Sequence, residues 1–133
     1  MAHLEEISIE SRERNELIKL DERVRKLIAA SGVKDGVCHI YVPHTTAGVI
    51  INEGADPDVA RDILARLAHL VPHGEGYAHA SGNADSHIKA AVVGCSAMVL
   101  IKDAAPLLGR WQSIFFCEFD GPRRRKVLIR VSA

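Results

Sequence analysis

The sequence lacks an excess of charge of either sign, because its 133 residues contain 17 Lys and Arg and 17 Asp and Glu. A chain without net positive charge has no general attraction for nucleic acid or for an anionic membrane surface. It also lacks an apolar run of the about 20 residues that a membrane-spanning helix needs. We therefore expect neither nucleic acid nor a membrane as a partner.

Cysteine is sparse, and the three cysteines do not suggest a disulfide framework. Cys38, Cys95 and Cys117 are far apart, and each lies in an apolar stretch, which favours buried and reduced thiols. The first residues contain neither the basic region nor the apolar core of a signal peptide. A length of 133 residues, of which 47% are hydrophobic, fits one domain over residues 1–133. We expect a cytoplasmic protein.

Hydrophobic periodicity predicts more strands than helices. Strands are predicted near residues 6–10, 17–18, 37–42, 47–51, 95–101, 111–119 and 126–131, and helices from 21 to 31, 56 to 72 and 85 to 93. Asp21, Asp56 and Asp85 are the expected helix caps. The pattern predicts an α+β fold in a single domain, with a mainly antiparallel sheet or sandwich and two to three helices packed on it.

The two C-terminal strands have different patterns. The strand at 111–119 is apolar on both faces, which predicts burial between two layers or against another subunit. The last strand alternates, so that Arg124, Lys126 and Arg130 point away from the core and are expected to be solvated. Arg123 has the opposite parity to Arg124, and its guanidinium is suited to bind a phosphate through two hydrogen bonds.

The sequence contains none of the short catalytic motifs that identify a reaction directly. It has no glycine-rich phosphate loop, no His-Glu-x-x-His, no Cys-x-x-Cys and no Gly-x-Ser-x-Gly. Polar side chains are instead concentrated in four segments within or beside apolar structure. These segments are residues 44–46, 52–56, 79–89 and 118–125.

Histidines and carboxylates in these segments are candidates for chemistry. Three neutral imidazoles from His44, His79 and His87, if they converge, suit a zinc-like ion with one open position; the alternative is three structural histidines held by hydrogen bonds. Asp85 or Glu118 would orient an imidazole or move protons at bound water. Glu118 lies on an apolar strand face, so it is either paired, with Arg123 or Arg125, or has a perturbed pKa.

Six blocks recur in one order along most of the chain: His44–Val49, Ile51–Glu53, Asp56–Val59, Asn83–Ala90, Leu108–Phe115, and Glu118 with Gly121–Arg125. Together these blocks resemble the YjbQ-type family. That resemblance implies an α+β fold with a large antiparallel sheet system, assembly as a homotrimer, and a site near a subunit boundary. It also implies a secondary thiamine-phosphate synthase activity, which joins a pyrimidine diphosphate to a thiazole phosphate and releases pyrophosphate.

The resemblance also assigns residues to roles. It implies a divalent metal ion, zinc-like or magnesium, on His44, His79 and His87, with Asp85 and Glu118 as catalytic groups near the developing positive charge. A divalent cation with Arg123 and Lys89 would stabilise the leaving pyrophosphate. The expected ligand is a small phosphorylated molecule. Its expected binding residues are Asn52, Glu53, Lys89, Gln112 and Arg123.

Two departures from the family pattern bear on these expectations. Ser81 stands where relatives often have Glu before the Gly-Asn pair, which removes a carboxylate near the expected metal. Residues 103–106 replace a glycine-containing turn, which alters only a hairpin. Two other functions stay open: a metal-dependent hydrolase or phosphatase of a small phosphorylated metabolite, and a non-catalytic metal- or ligand-binding module.

Overall fold

A computed structural model describes residues 2–74 and 76–133. Its strands all pair in antiparallel fashion and three helices pack on them, which confirms the predicted α+β fold. In chain order the elements are β1 (Ala2–Glu10), β2 (Glu16–Lys19), α1 (Asp21–Ser31), β3 (Gly36–Tyr41), β4 (Ala47–Glu53), α2 (Pro57–Leu70), α3 (Ala84–Val93), β5 (Ser96–Lys102), β6 (Ala105–Pro106), β7 (Gln112–Glu118) and β8 (Arg124–Ser132).

Two sheets enclose the main core. One has five strands in the order β1-β8-β3-β5-β6, and the other has three in the order β2-β7-β4. The core takes Ile9, Ile40 and Ile129 from the larger sheet, Phe116 from the smaller one and Val24 from α1. Side chains of this kind stabilise the fold by roughly 1.5–3 kcal/mol each when fully buried.

Strand β7 is buried on both faces by layers of its own chain. Ile114 and Phe116 belong to the main core, whereas Cys117 and Phe119 form a second cluster with side chains of β2, β4, α2 and α3. Burial between two layers of the same chain therefore accounts for the apolar pattern of β7, and no subunit contact is needed to explain it. Trp111 was predicted to begin the strand, but it lies before β7 and is 54% exposed.

One of the three predicted helix caps is confirmed. Asp56 caps α2, and its side chain accepts the N–H of Asp58 at 2.9 Å. Asp21 instead accepts the N–H of Ile114 at 2.8 Å, which fastens α1 to β7. Asp85 lies inside the first turn of α3 and is buried, with Asn83 at the cap position. Those two carboxylates have partners elsewhere in the tertiary structure.

The alternation predicted for the last strand is confirmed, since Arg124, Lys126 and Arg130 are exposed. The prediction of buried thiols holds for two cysteines only. Burial raises the pKa of Cys38 to about 11 and that of Cys117 to about 12, so both remain protonated. Cys95 is exposed because it precedes β5 at the end of the sheet.

No helix in the described ranges is both long and apolar enough to cross a membrane.

Candidate functional site

A cavity of about 360 Å³ lies where the start of β4 meets the end of α3. Gly48 makes this junction possible, because a Cβ atom at that position would lie 2.5 Å from the carbonyl oxygen of Gly94. Small residues form much of the cavity wall, and two imidazoles and a thiol lie among them. The lining residues are His44, Thr45, Ala47, His87, Ala90, Ala91, Gly94 and Cys95.

His44 is held in one orientation at this cavity. Its Nε2 accepts the backbone N–H of Lys126 at 2.9 Å, so in the neutral ring the proton resides on Nδ1. Burial, and then the charge of Arg125, lower the pKa of His44 below its ordinary value of 6.5. The imidazole is therefore neutral at pH 7, with one nitrogen occupied by the protein.

His79 and His87 lie against each other. Their ring centroids are 5.2 Å apart and the ring planes meet at 83°, an edge-to-face contact. His87 comes from α3 and lines the cavity, whereas His79 comes from the segment between α2 and α3 and is exposed. His87 thus lines the same cavity as His44 and contacts the ring of His79.

These histidines do not form a preassembled three-ligand metal centre. Within residues 2–74 and 76–133, no three His, Cys, Asp or Glu side chains are grouped to hold a metal ion. Nε2 of His44, the unprotonated nitrogen of the neutral ring, already accepts the Lys126 N–H. The described residues therefore do not assemble the three-histidine arrangement expected from the sequence.

Glu118 forms an ion pair with Arg125, which confirms one of the two alternatives predicted for this carboxylate. The carboxylate is fully buried and accepts Nε of Arg125 at 2.9 Å, Nη2 of Arg125 at 2.5 Å, the Ser11 hydroxyl at 2.7 Å and the Asp120 N–H at 2.9 Å. Burial alone would raise the pKa of Glu118, but hydrogen bonds from Arg125, Ser11 and Asp120 outweigh it and lower the pKa. Glu118 is therefore an ionised, enclosed group.

The Glu118–Arg125 pair also positions one wall of the cavity. Arg125 Nη2 donates to the hydroxyl of Thr46 at 2.8 Å, and Thr46 follows His44 and Thr45 in the chain. Because Glu118 makes four hydrogen bonds inside the protein, it is not placed to exchange a proton with a ligand. Its contribution is to hold the segment at 44–46.

Asp85 and Lys89 form a second buried ion pair on α3. The lysine Nζ lies 3.3 Å from Asp85 Oδ2 and 3.3 Å from Asn15 Oδ1, and each charged side chain is about 1% exposed. Burial would raise the pKa of Asp85, but hydrogen bonds from His73 and Lys89 and the charge of Arg14 lower it. Lys89 therefore binds within the core of the protein, and it does not line the cavity.

Arg123 lies at the surface near the cavity. Its Nε donates to the carbonyl of Asp120 at 2.8 Å and its Nη2 to the Asp120 carboxylate at 3.1 Å. About half of its side chain is exposed, and its positive charge is among the influences that lower the pKa of His44, after burial and Arg125. Of Arg123 and Arg125, only Arg123 has an exposed side chain.

Asn52, Glu53 and Gln112 lie at the opposite end of β4. Glu53 pairs with Gln112, whereas Ala47 at the cavity end pairs with Glu118. Seven-residue β4 separates the two ends by roughly 20 Å, at about 3.3 Å per residue. Each of the three side chains accepts a backbone N–H within three residues of itself. The structure does not bring them to the cavity of the same chain.

Sequence analysis missed Ser11, Arg14 and Thr46 as parts of this network. Ser11 and Arg14 precede the short strand β2, in a segment without hydrophobic periodicity. Thr46 belongs to the predicted polar segment 44–46, but the sequence analysis assigns it no role of its own. Their partners are 59 to 112 residues away, so no local pattern signals them. Arg125 had been named as a possible partner of Glu118, but not as part of the cavity wall.

This chain is similar to members of one protein family along most of its length. The family described as "UPF0047 protein YjbQ-like" matches residues 5–133. UPF0047 protein MJ1081 of Methanocaldococcus jannaschii is 51% identical over 123 residues, covering 92% of this chain and 89% of that protein. YugU of Bacillus subtilis is 41% identical over 129 residues, covering 96% and 98%. A yjbq/upf0047 crystal structure from Clostridium acetobutylicum has a TM-score of 0.93 at 44% identity, covering 96% and 98%.

Proposed function

The chain belongs to the UPF0047 protein YjbQ-like family, and on that premise we propose that it is a cytoplasmic enzyme with secondary thiamine-phosphate synthase activity. The reaction forms a carbon–nitrogen bond between the thiazole nitrogen and the pyrimidine methylene carbon. The carbon–oxygen bond to the diphosphate breaks, and its electron pair leaves with pyrophosphate.

One observation carries the proposal: His44 and His87 line a single cavity whose other walls are small. Ala47, Ala90 and Ala91 provide a narrow apolar surface, and Thr45 adds a hydroxyl. A volume of about 360 Å³ is in the range of small-molecule sites, which are mostly apolar with a few polar groups. These features favour a flat heteroaromatic ring that has a charged substituent, as a pyrimidine diphosphate does.

Charge near the cavity supports the departure of pyrophosphate. His87 lines the cavity, and the exposed guanidinium of Arg123 is near His44. Cationic and hydrogen-bonding groups aimed at a leaving anion lower the barrier when the charge develops in the transition state. Glu118, Asp85 and Lys89 contribute indirectly. Glu118 fixes Arg125, which binds Thr46 beside the cavity, and Asp85 and Lys89 tie α3 to Arg14 and Asn15.

The test is a synthase assay on purified protein with both substrates, in which thiamine phosphate and pyrophosphate are quantified. We expect His87→Ala to lower the rate roughly 100-fold, within the range for one acid–base or electrostatic group. His69→Ala, at an exposed position on α2, is the matched control and should retain the wild-type rate. A folded His87→Ala protein with unchanged turnover would remove the cavity from the proposal.

The same assay without thiazole phosphate separates the competing functions. Pyrophosphate or phosphate release from one substrate would identify a hydrolase, for which the exposed His79 beside His87 is the supporting observation. Saturable binding of the pyrimidine diphosphate without any product would identify a binding module. Elemental analysis of the same protein tests whether a divalent metal ion accompanies either activity.

A homotrimer is the proposed assembly. The outer face of the five-stranded sheet exposes four large apolar side chains, those of Leu4, Tyr41, Met98 and Leu100. In the register of β3 with β5 and β8, their side chains lie on one side of the sheet. Cys95, at the cavity, directly precedes β5. A neighbouring copy on this face would therefore reach the edge of the cavity.

This assembly gives a role to the residues at the far end of β4. Asn52, Glu53 and Gln112 would touch a ligand in the cavity only from a neighbouring copy, because about 20 Å separates them from it in their own chain. Mixing His87→Ala and Gln112→Ala proteins tests the idea. In a cyclic trimer that exchanges subunits randomly, about a quarter of the sites would be intact, with activity to match. Mixtures no more active than the separate variants would contradict a shared site.

A further inference from the structure

One guanidinium joins three segments that are remote from each other in sequence. Arg14 Nη1 donates to Asp120 at 3.2 Å, after β7. Its Nη2 lies 3.1 Å from Asp85 and 3.2 Å from Ser86, in the first turn of α3, and 3.0 Å from Nδ1 of His73. Nη2 has two N–H groups, which serve Asp85 and Ser86, and His73 Nδ1 donates to the same Asp85 oxygen. A lysine ammonium presents a single point of charge and not such a fork.

Two of the segments that Arg14 joins contain candidate site residues. Helix α3 contains His87, and the segment from 71 to 82 contains His79. Among the described residues of that segment, 71–74 and 76–82, only His73 makes side-chain hydrogen bonds to residues outside it. Its hydrogen-bond partner is Asp85, which Arg14 also binds. Within the described part of this segment, that contact is the side-chain hydrogen bond that ties it to α3.

The contacts of Arg14 are not needed to neutralise the buried charges. Without Arg14, Asp85 retains Lys89 at 3.3 Å, and Asp120 retains Arg123 at 3.1 Å and Asn83 at 2.9 Å. The Arg14 side chain is about one-third exposed, so removing its fork leaves no large cavity. A change at this position should spare the fold and alter the alignment of the segments that it joins.

We propose that Arg14 is a positioning residue for the His79–His87 pair, through the contacts of its guanidinium with Asp120 and with Asp85, the carboxylate that also holds His73. The fork sets the start of α3 and the 71–82 segment at one distance from each other. The edge-to-face contact of the two imidazoles follows from that spacing. The effect on catalysis rests on the proposed function, whereas the effect on ring contact does not.

The experiment uses the full chain with Arg14→Lys, which retains the charge and removes the fork, and His73→Ala, which removes the segment's anchor. Arg61→Lys is the matched control, since Arg61 forms an exposed ion pair with Asp58. Nuclear Overhauser contacts between the ring protons of His79 and His87 report the geometry, and the synthase rate reports its consequence. Urea unfolding verifies that each variant is folded.

We expect the ring-to-ring contact to be lost in Arg14→Lys and in His73→Ala, and kept in Arg61→Lys. Synthase kcat should fall roughly 10–100-fold with it, the usual effect of a displacement of about 1 Å. An unchanged ring contact in the two variants would overturn the inference. If Arg14→Lys fails to fold, His73→Ala decides alone. A wild-type protein without synthase activity would overturn the proposed function, while the ring contact would still test Arg14.

Discussion

The two ends of the β4–β7 ladder are chemically similar in sequence and different in structure. At the cavity end, Glu118 and Thr46 bind Arg125 and Ser11, with partners up to 107 residues apart. At the far end, Asn52, Glu53 and Gln112 bind backbone groups within three residues. Polar residues at one end form a tertiary site, and at the other they form turns. Proximity to a strand end does not by itself identify a site.

The largest expected difference between the two ends comes from their carboxylates. Glu118→Leu leaves Arg125 buried without its counter-charge and should cost about 3–5 kcal/mol of unfolding free energy. Glu53→Ala removes hydrogen bonds to Ala55 and Asp56 at the surface and should cost about 1 kcal/mol. Urea unfolding of both variants measures the contrast. Similar losses of unfolding free energy in the two variants would contradict the difference between the two ends.

Gly48 provides the next contrast. An alanine Cβ there would meet the Gly94 carbonyl at 2.5 Å and a Val93 methyl group at 2.6 Å. We expect Gly48→Ala to cost about 1–3 kcal/mol, as overpacking usually does, and to weaken ligand binding at the cavity. Asn52→Ala, on the same strand, should cost less than about 1 kcal/mol. Thermal unfolding and ligand titration would show whether β4 is really tighter at the cavity end.

Acid should lower the stability of the folded protein through Glu118 at the cavity end and through Asp85 on α3. Glu118 and Asp85 have lowered pKa values in the folded protein, so their stabilisation is complete above the ordinary values of 4.5 and 3.8 and is lost as the pH falls through the lower folded values. Each carboxylate can contribute a slope of at most about 1.4 kcal/mol per pH unit. Unfolding free energies measured from pH 6 downward should therefore decline below about pH 4.5. The slope should be smaller in Glu118→Leu, and an equal slope would contradict this assignment.

The smallest effect is expected far from both ends, at the β5–β6 hairpin. Asp103 and Ala104 have φ angles of 52° and 62°, a left-handed conformation that costs a residue with a Cβ about 1 kcal/mol. Ala104→Gly should stabilise the protein by about 0.5–1 kcal/mol, as glycine suits this type of turn. An increase in the urea midpoint, with unchanged synthase activity, would show that this departure from the family pattern affects only the hairpin.

The sequence alone determined the α+β class, the approximate positions of the strands and helices, the Asp56 cap and the outward arginines of β8. Each of these depends on neighbours within a few residues, because periodicity and capping are local properties of the backbone. The same reasoning found the doubly buried strand, although it left open whether a layer or a subunit covers it.

Only the tertiary structure decided which polar residues meet. Arg125, not Arg123, binds Glu118, because strand parity after the 119–123 turn directs it inward. Lys89 pairs with Asp85 inside the core, Arg14 joins segments 59 to 106 residues away, and Cys95 lies exposed at the cavity. The partner of a buried charge is set by the register and crossing of elements distant in sequence, and local periodicity contains no information about either.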